Sequence, residues 1–273
     1  YSSHIRDEAY YSVGLFMAVQ EAIEIGRQAG VRVQVSHLKC GGPTVWGKAD
    51  LLLERLEKAR KEGVDVAGDQ YPYTAGSTYM AAAVFPRWAQ VGGREAFLNN
   101  LREPGWRGRL LEAVRENFRL RGGPERVVIA LYPPRRQWEG RSLQEIAQEV
   151  EAPPEEAAVR IYQEGEAMAI VHWMEEGDVE TIARSPWAAV GSDGSSLRAE
   201  GPLSSGKPHP RNYGCFPRFL ARYAREKRLA PLEEAVRRMT SLPASRLGLT
   251  RRGRIAPGYW ADLVAFDPST VRD

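Results

Sequence analysis

Val31-Arg-Val-Gln-Val35 is an alternating, β-branched run that ends in Ser36-His37-Leu38-Lys39. An imidazole at the end of such a run suits a divalent metal or a proton transfer. The alternative is a histidine bonded to a neighbouring carbonyl. Asp193 lies in Gly191-Ser-Asp-Gly194, directly after the apolar run Trp187 to Val190. A carboxylate there can bind a metal or take a proton from a metal-bound water, and it can equally be the aspartate of an Asp-Gly turn. Arg211, in His209-Pro-Arg211, carries a guanidinium suited to bidentate capture of a carboxylate. Because 32 of the 38 basic residues are arginine, no single arginine stands out by type alone.

Other residues carry weaker signals. Tyr71 and Tyr73 can donate hydrogen bonds to an oxyanion or simply pack. His172 ends another apolar run and either lines a pocket, orients a partner or sits in the core. Lys39 reads as solvated or structural, and His4 and His209 carry less still. Cys40 and Cys215 lack paired spacing and read as free thiols. No phosphate-binding loop, dinucleotide glycine fingerprint or nucleophile elbow is present.

The elements that must position these residues follow from periodicity. Residues 1–6 read as a strand end or loop. Helices are expected over 13–29, stopped by Gly30, and over 49–61. Strands are expected at 31–35 and 64–67. Strand, helix, strand, helix, strand is the order of parallel βα units, whose functional residues gather at the C-terminal strand ends. His37, Asp69 with Tyr71, His172 and Asp193 all fall at such ends. The middle, 80–165, is less regular, with helices expected near 94–102, 107–117, 142–150 and 154–164 and a short strand at 126–131. Ser142 and Glu145 have capping-box spacing. The βα rhythm resumes with strands at 167–171 and 187–190, a helix at 179–183, and helices at 214–226, 231–239 and 243–247. Strands at 254–255 and 261–266 close the chain.

The 273 residues allow one large domain or two small ones. With 43% hydrophobic and 27% charged residues the composition is that of a globular chain, which excludes a disordered or collagen-like one. No apolar run approaches the ~18 residues of a membrane span. Two cysteines exclude a disulfide scaffold and fit a reducing, cytoplasmic setting. The pI of 8.9 reflects a net charge of only +3 with both signs interspersed, so neither a nucleic acid nor a membrane is the expected partner.

The segments Tyr1-Ser-Ser-His-Ile-Arg6, Val35-Ser-His-Leu-Lys39, Asp69-Gln-Tyr-Pro-Tyr-Thr-Ala-Gly-Ser77, Val190-Gly-Ser-Asp-Gly194, His209–Arg218, Met239–Gly248 and Gly253–Asp267 occur in family order from end to end. In these segments the chain resembles the N-acyl-D-amino-acid deacylases (D-aminoacylases) of the amidohydrolase superfamily. The resemblance implies an α/β fold: the later strands of a (β/α)8 TIM-type barrel over 1–248, with an insertion near 80–165, and part of a small β-sandwich over 249–273. It implies one or two zinc ions at the barrel mouth, with His37 on a metal-ligand position and Asp193 on the catalytic aspartate. Arg211 falls on the arginine that receives the amino-acid carboxylate, Tyr1 on a tyrosine near the substrate, and Tyr71 and Ser77 in a pocket segment. The implied reaction is zinc-dependent hydrolysis of a linear N-acyl-D-amino acid, a small-molecule substrate, to a carboxylic acid and a D-amino acid.

There are departures from the family pattern. The chain has only His4, His37, His172 and His209, with no His-x-His pair and no early cysteine ligand, and it begins at Tyr1 rather than Met. The expectation is therefore a C-terminal portion of a family member, with a complementing chain or a homo-oligomer as its protein partner. Two other readings remain open. One is a hydantoinase-like or dihydroorotase-like hydrolase of cyclic amides. The other is a fragment inactive for want of metal ligands.

Overall fold

The computed structural model describes all 273 residues, as a mixed α/β fold with two sheets. The first half opens with strand β1 (Ser2–Ser3), helix α1 (Leu15–Ala29), β2 (Val33–Val35), α2 (Ala49–Lys61) and β3 (Val66–Gln70). Valines at 33, 35 and 66 are fully buried and β-branched, which favours the extended backbone. Helix α1 buries Leu15, Val19, Ala22 and Ile23 on one stripe and ends at Gly30 in the left-handed conformation. Gly26 lets this helix approach the sheet, since a Cβ there would stand 2.3 Å from Val33 Cγ2. The N-terminus of α2 is capped from a distance: the buried Asp178 carboxylate accepts the amides of Gly47 and Ala49 at 2.8 and 3.0 Å.

The chain continues through β4 (Ala75–Tyr79), α3 (Met80–Val84), α4 (Gly93–Asn100), α5 (Pro104–Arg121), β5 (Val127–Leu131), α6 (Leu143–Glu149), α7 (Pro154–Glu164), β6 (Met168–His172), α8 (Glu176–Ala183) and β7 (Ala188–Val190). Helix α9 (Arg211–Arg218) runs into a π-helical segment, Phe219–Glu226, where Pro217 has just removed one amide from the ladder. Helices α10 (Leu232–Met239) and α11 (Ser241–Leu247) complete the order. No helix is long and apolar enough to cross a membrane.

Strands β1, β2, β3 and β7 form one parallel sheet in that order, with Ser3 opposite Val35, Val35 opposite Gly68, and Gln70 opposite Val190. All four C-terminal ends therefore lie on one edge of the sheet. The other three strands form an antiparallel sheet, β4-β6-β5. One apolar cluster fills the space between α1, α2 and the parallel sheet; a larger one joins the antiparallel sheet to α3–α7 and α9.

The expected helices at 49–61 and 154–164 form, and the Ser142/Glu145 capping box is present with both reciprocal bonds. Three expectations need correction. Strand β3 begins at Val66 and runs three residues further, through Gly68, Asp69 and Gln70, because β7 pairs with it up to Val190. The segment around 167–172 does not continue the parallel rhythm; it pairs antiparallel with β4 and β5. The strands expected at 254–255 and 261–266 do not form, since no ladder partner lies beside them; Ile255 and Val264 remain 90% and 86% exposed.

Candidate active site

The parallel sheet brings four polar residues together. His4 follows β1 directly, and His37 follows β2 by two residues, in the left-handed region at φ 42°. Because β1 and β2 are adjacent and in register, the two imidazoles meet: His4 Nδ1 lies 2.9 Å from His37 Nε2. Asp69, on β3, fixes the turn that presents His37. One of its oxygens accepts the His37 amide at 2.8 Å and the other accepts Gln34 Nε2 at 2.7 Å. Asp193, beyond β7, is also left-handed at φ 48°.

Behind His37 lies a buried charge cluster. Glu8 Oε1 is 2.8 Å from His37 Nδ1 and 2.5 Å from Lys39 Nζ, and Lys39 Nζ is 2.7 Å from that same Nδ1. Lys39 is 5% exposed, so it is a buried, ion-paired residue rather than a solvated one. Burial alone would raise the Glu8 pKa, but the Lys39 ammonium, and after it His37, hold the carboxyl well below its ordinary range. Partial desolvation lowers the His4 pKa, although the residue as a whole is exposed. The loop carrying Glu8 is organised by Asp7, whose fully buried carboxylate accepts the amides of Ala9, Tyr11, Ser12 and Gly14.

A second group is built by the antiparallel sheet and the start of α9. Arg211 Nη1 is 2.7 Å from Asp193 Oδ2, its Nη2 donates to the Ser77 carbonyl at 3.1 Å, and its guanidinium sits 4.7 Å from the centroid of the Tyr71 ring. His209 sets this geometry. Its Nδ1 accepts the Arg211 amide at 2.9 Å and its Nε2 faces the Ala75 carbonyl at 2.9 Å. A carbonyl can only accept, so the two bonds fix the neutral Nε2–H tautomer. Burial, and then the Arg211 charge, lower the His209 pKa to about 3.

His37, Asp193, Arg211, Tyr71 and Ser77 thus share one cavity of about 720 Å³, and His4, Glu8 and Lys39 line it as well. Tyr71 is buried, and burial raises its phenol pKa, so it faces the cavity as a neutral donor. Tyr1 is not brought in. It precedes β1, at the end of the strand opposite His4; it is 49% exposed, and its hydroxyl bonds Ser3. His172 does not line the cavity; the following Trp173 does. Cys40 and Cys215 are buried free thiols, and burial pushes Cys215 up to about 12. His4 is the residue that sequence reasoning passed over. His4, Glu8 and His37 together form a cluster whose potential ligand atoms lie within 4.8 Å of one another. The available signal was the shared placement of His4 and His37 just past two strands.

Comparison with known proteins bears on this arrangement. The sequence profile of the amidohydrolase family matches residues 128–273, more than half the chain. All 273 residues align with an N-acyl-D-glutamate deacylase and a D-aminoacylase of Alcaligenes xylosoxydans xylosoxydans, at 36% and 34% identity. Each alignment takes in 46% of the relative, so the chain spans about half the length of these proteins. Among solved structures, the N-acyl-D-glutamate deacylase of Bordetella bronchiseptica, complexed with zinc and a phosphonate mimic of the tetrahedral intermediate, superposes on the whole chain with a TM-score of 0.76. It is 36% identical, and 47% of it is covered. A D-aminoacylase structure gives a TM-score of 0.75 at 34% identity, with the same coverage.

Proposed function

The chain belongs to the amidohydrolase family, and from that membership we propose that it carries the catalytic half-site of a zinc-dependent N-acyl-D-amino-acid deacylase. The observation that carries the proposal is the convergence, in one cavity, of two imidazoles with an aspartate and an arginine. The donor set fits zinc. His37 Nδ1 is engaged by Glu8, which leaves Nε2 directed at His4 Nδ1, and nitrogen ligands with a nearby carboxylate are the common zinc environment. His4 and His37 hold the metal in this reading. A zinc ion held there would supply Lewis acidity toward the amide carbonyl and the attacking water.

The remaining steps are those of the chain's own residues. Arg211 receives the α-carboxylate of the substrate, oriented by His209 through its backbone amide and by Tyr71 beneath it. Asp193 accepts a proton from the attacking water and returns it to the departing nitrogen, so that a carboxylic acid and a D-amino acid leave. Ser77 contributes the carbonyl that steadies Arg211 and lines the pocket. Glu8 and Lys39 hold His37 from behind.

We read 1–248 as later units of a (β/α)8 barrel with an insertion near 80–165; the parallel order β1-β2-β3-β7 supports this. We read 249–273 as the return into a small β-sandwich, which the uncovered apolar side chains of Ile255, Leu263 and Val264 support. The test is hydrolysis of N-acetyl-D-methionine by the full-length natural chain, with zinc content measured in parallel. Zinc-dependent turnover of the D substrate and not of its L enantiomer is expected. Turnover of a hydantoin in preference to the linear amide would replace this reading with the cyclic-amide one.

A further inference from the structure

Asp193 stands at the centre of a five-residue loop, Gly191-Ser-Asp-Gly-Ser195, in the left-handed region at φ 48°. A residue with a Cβ keeps that conformation only where its surroundings hold it. The ion pair with Arg211 cannot be the whole of that hold, because in the proposed reaction Arg211 is engaged by the substrate carboxylate while Asp193 works. The start of the loop is tied to the sheet, the Gly191 amide donating to the Gln70 carbonyl at 3.0 Å. The far side of the loop, beyond Asp193, has left the sheet and needs another anchor.

Helix α9 supplies it. Arg211 meets the Asp193 carboxylate, and Cys215, one turn on, donates to the Gly191 carbonyl at 3.4 Å. Between them in sequence is Asn212, which reaches the far side. Its Oδ1 accepts the Ser195 amide at 2.6 Å, and its Nδ2 donates to the His209 carbonyl at 2.7 Å. An amide N–H only donates and a carbonyl only accepts, so these two partners fix the orientation of the Asn212 side chain. Over residues 194–197 the Asn212 bond is the one hydrogen bond that leaves the loop. The packing is equally close. A Cβ on Gly194 would stand 3.0 Å from Asn212 Oδ1 and 3.1 Å from its Cα, and Gly194 does not adopt a positive φ, so it is this contact that calls for glycine. Asn212 does not itself line the cavity.

One side chain thus joins the loop of the proton carrier to the turn that sets the carboxylate anchor. We propose that Asn212 is the positioning residue of Asp193. It holds the loop backbone at Ser195, so that the Asp193 carboxylate exchanges Arg211 for the attacking water while the loop stays in the site. The inference rests on the deacylase reading above and adds to it a residue that acts only through others. Arg211 then governs substrate capture and Asn212 governs proton transfer. Replacing Asn212 leaves the anchor in place, since the His209 ring keeps its own bonds to the Arg211 amide and the Ala75 carbonyl.

The experiment measures kcat and KM separately for N-acetyl-D-methionine, with the full-length natural chain and its Asn212→Ala, Asn212→Asp and Gly194→Ala variants. Asn212→Ala should lose about 10- to 100-fold in kcat, the scale of an ångström of misplacement, with KM nearly unchanged. Asn212→Asp keeps an acceptor for the Ser195 amide and puts a carboxylate in the first turn of α9, where it is tolerated, so it should regain most of the lost kcat. Gly194→Ala presses on the same contact from the loop and should share the kcat defect. Combined with Asn212→Ala it should add less than its own loss, as expected of two changes that act through one contact. If Asn212→Ala does not fold, Gly194→Ala and Asn212→Asp carry the comparison with the natural chain. An unchanged kcat, a loss in KM instead of kcat, an Asp variant no better than the Ala variant, or losses that multiply in full would overturn the proposal. If the natural chain hydrolyses no linear N-acyl-D-amino acid, the deacylase reading itself fails. Asn212 is then judged by hydrogen exchange of the 191–195 segment. The Ser195 amide should exchange about 10-fold faster in Asn212→Ala, the worth of one hydrogen bond, and equal exchange removes the role.

Discussion

Arg211 and Asp193 are paired with each other, Nη1 to Oδ2 at 2.7 Å, so the proposed carboxylate anchor and the proposed proton carrier occupy one another. They are not equally held. The Arg211 side chain is 8% exposed and is fixed by the Ser77 carbonyl, the Tyr71 face and the His209 ring, whereas that of Asp193 is 42% exposed in a loop between two glycines. Asp193 is therefore the less constrained partner. In the proposed mechanism a substrate carboxylate arriving at Arg211 would take the place of Asp193 and release it toward the attacking water.

Replacing Asp193 with Asn keeps the shape and removes the base. Turnover of the preferred substrate should fall by about 10²–10⁴-fold, the usual share of a positioned acid–base group. Zinc retained on His4 and His37, measured by metal analysis, separates a lost proton carrier from a lost metal. Undiminished turnover would remove Asp193 from the mechanism.

For Arg211 the expected signature differs. Arg211→Ala removes a charge-assisted contact made in both the bound and the transition state, so KM should rise by about 10- to 100-fold with a smaller change in kcat. Arg211→Lys should recover only part, since an ammonium cannot offer the two parallel donors. Steady-state kinetics over a substrate concentration series checks this, and an unchanged KM argues against the anchor.

The role of His4 predicts a metal-binding defect. Changes to residues that only hydrogen-bond a metal ligand cost about 10- to 100-fold in metal affinity, and loss of a direct ligand should cost at least as much. Competition with a chromophoric zinc chelator should show His4→Ala releasing zinc at least about 100-fold more readily than the natural protein. Chelation of the natural protein should abolish hydrolysis, with recovery on adding zinc back. Equal zinc retention by His4→Ala would place the ligands elsewhere.

Much of this arrangement was legible in the sequence, and the exceptions have physical causes. His37 was found because three alternating valines over 31–35 announce its strand, and Asp193 because glycines bracket it. His4 follows a strand of two residues, too short to show any periodicity, and becomes visible only when β1 lies beside β2. Strand β4, Ala-Gly-Ser-Thr-Tyr, lacks the alternation of a strand and is extended because β6 offers a partner along its whole length. The C-terminal segment is the reverse case, a short apolar run with no ladder beside it.

His209 provides a test of the scaffold that is independent of substrate. It is 1% exposed, its Nδ1 is committed to the Arg211 amide, and its folded pKa is lowered to about 3 against an ordinary 6.5. Between those values the unfolded chain binds a proton that the folded one does not, so acid favours unfolding. The contribution of His209 is fully present above pH 6.5 and is lost as the pH falls toward about 3. The slope in that window is about 1.4 kcal/mol per pH unit for one proton. Denaturant melts of the natural protein at a series of pH values from 7 to 4 should show this loss. In His209→Asn the amide can still accept from Arg211 and donate to Ala75, while the titrating group is gone. Its stability should therefore decline more shallowly, by about one proton, whatever its value at pH 7. Parallel slopes in the two proteins would show that folding does not lower the His209 pKa, and would remove the fixed neutral tautomer from the account.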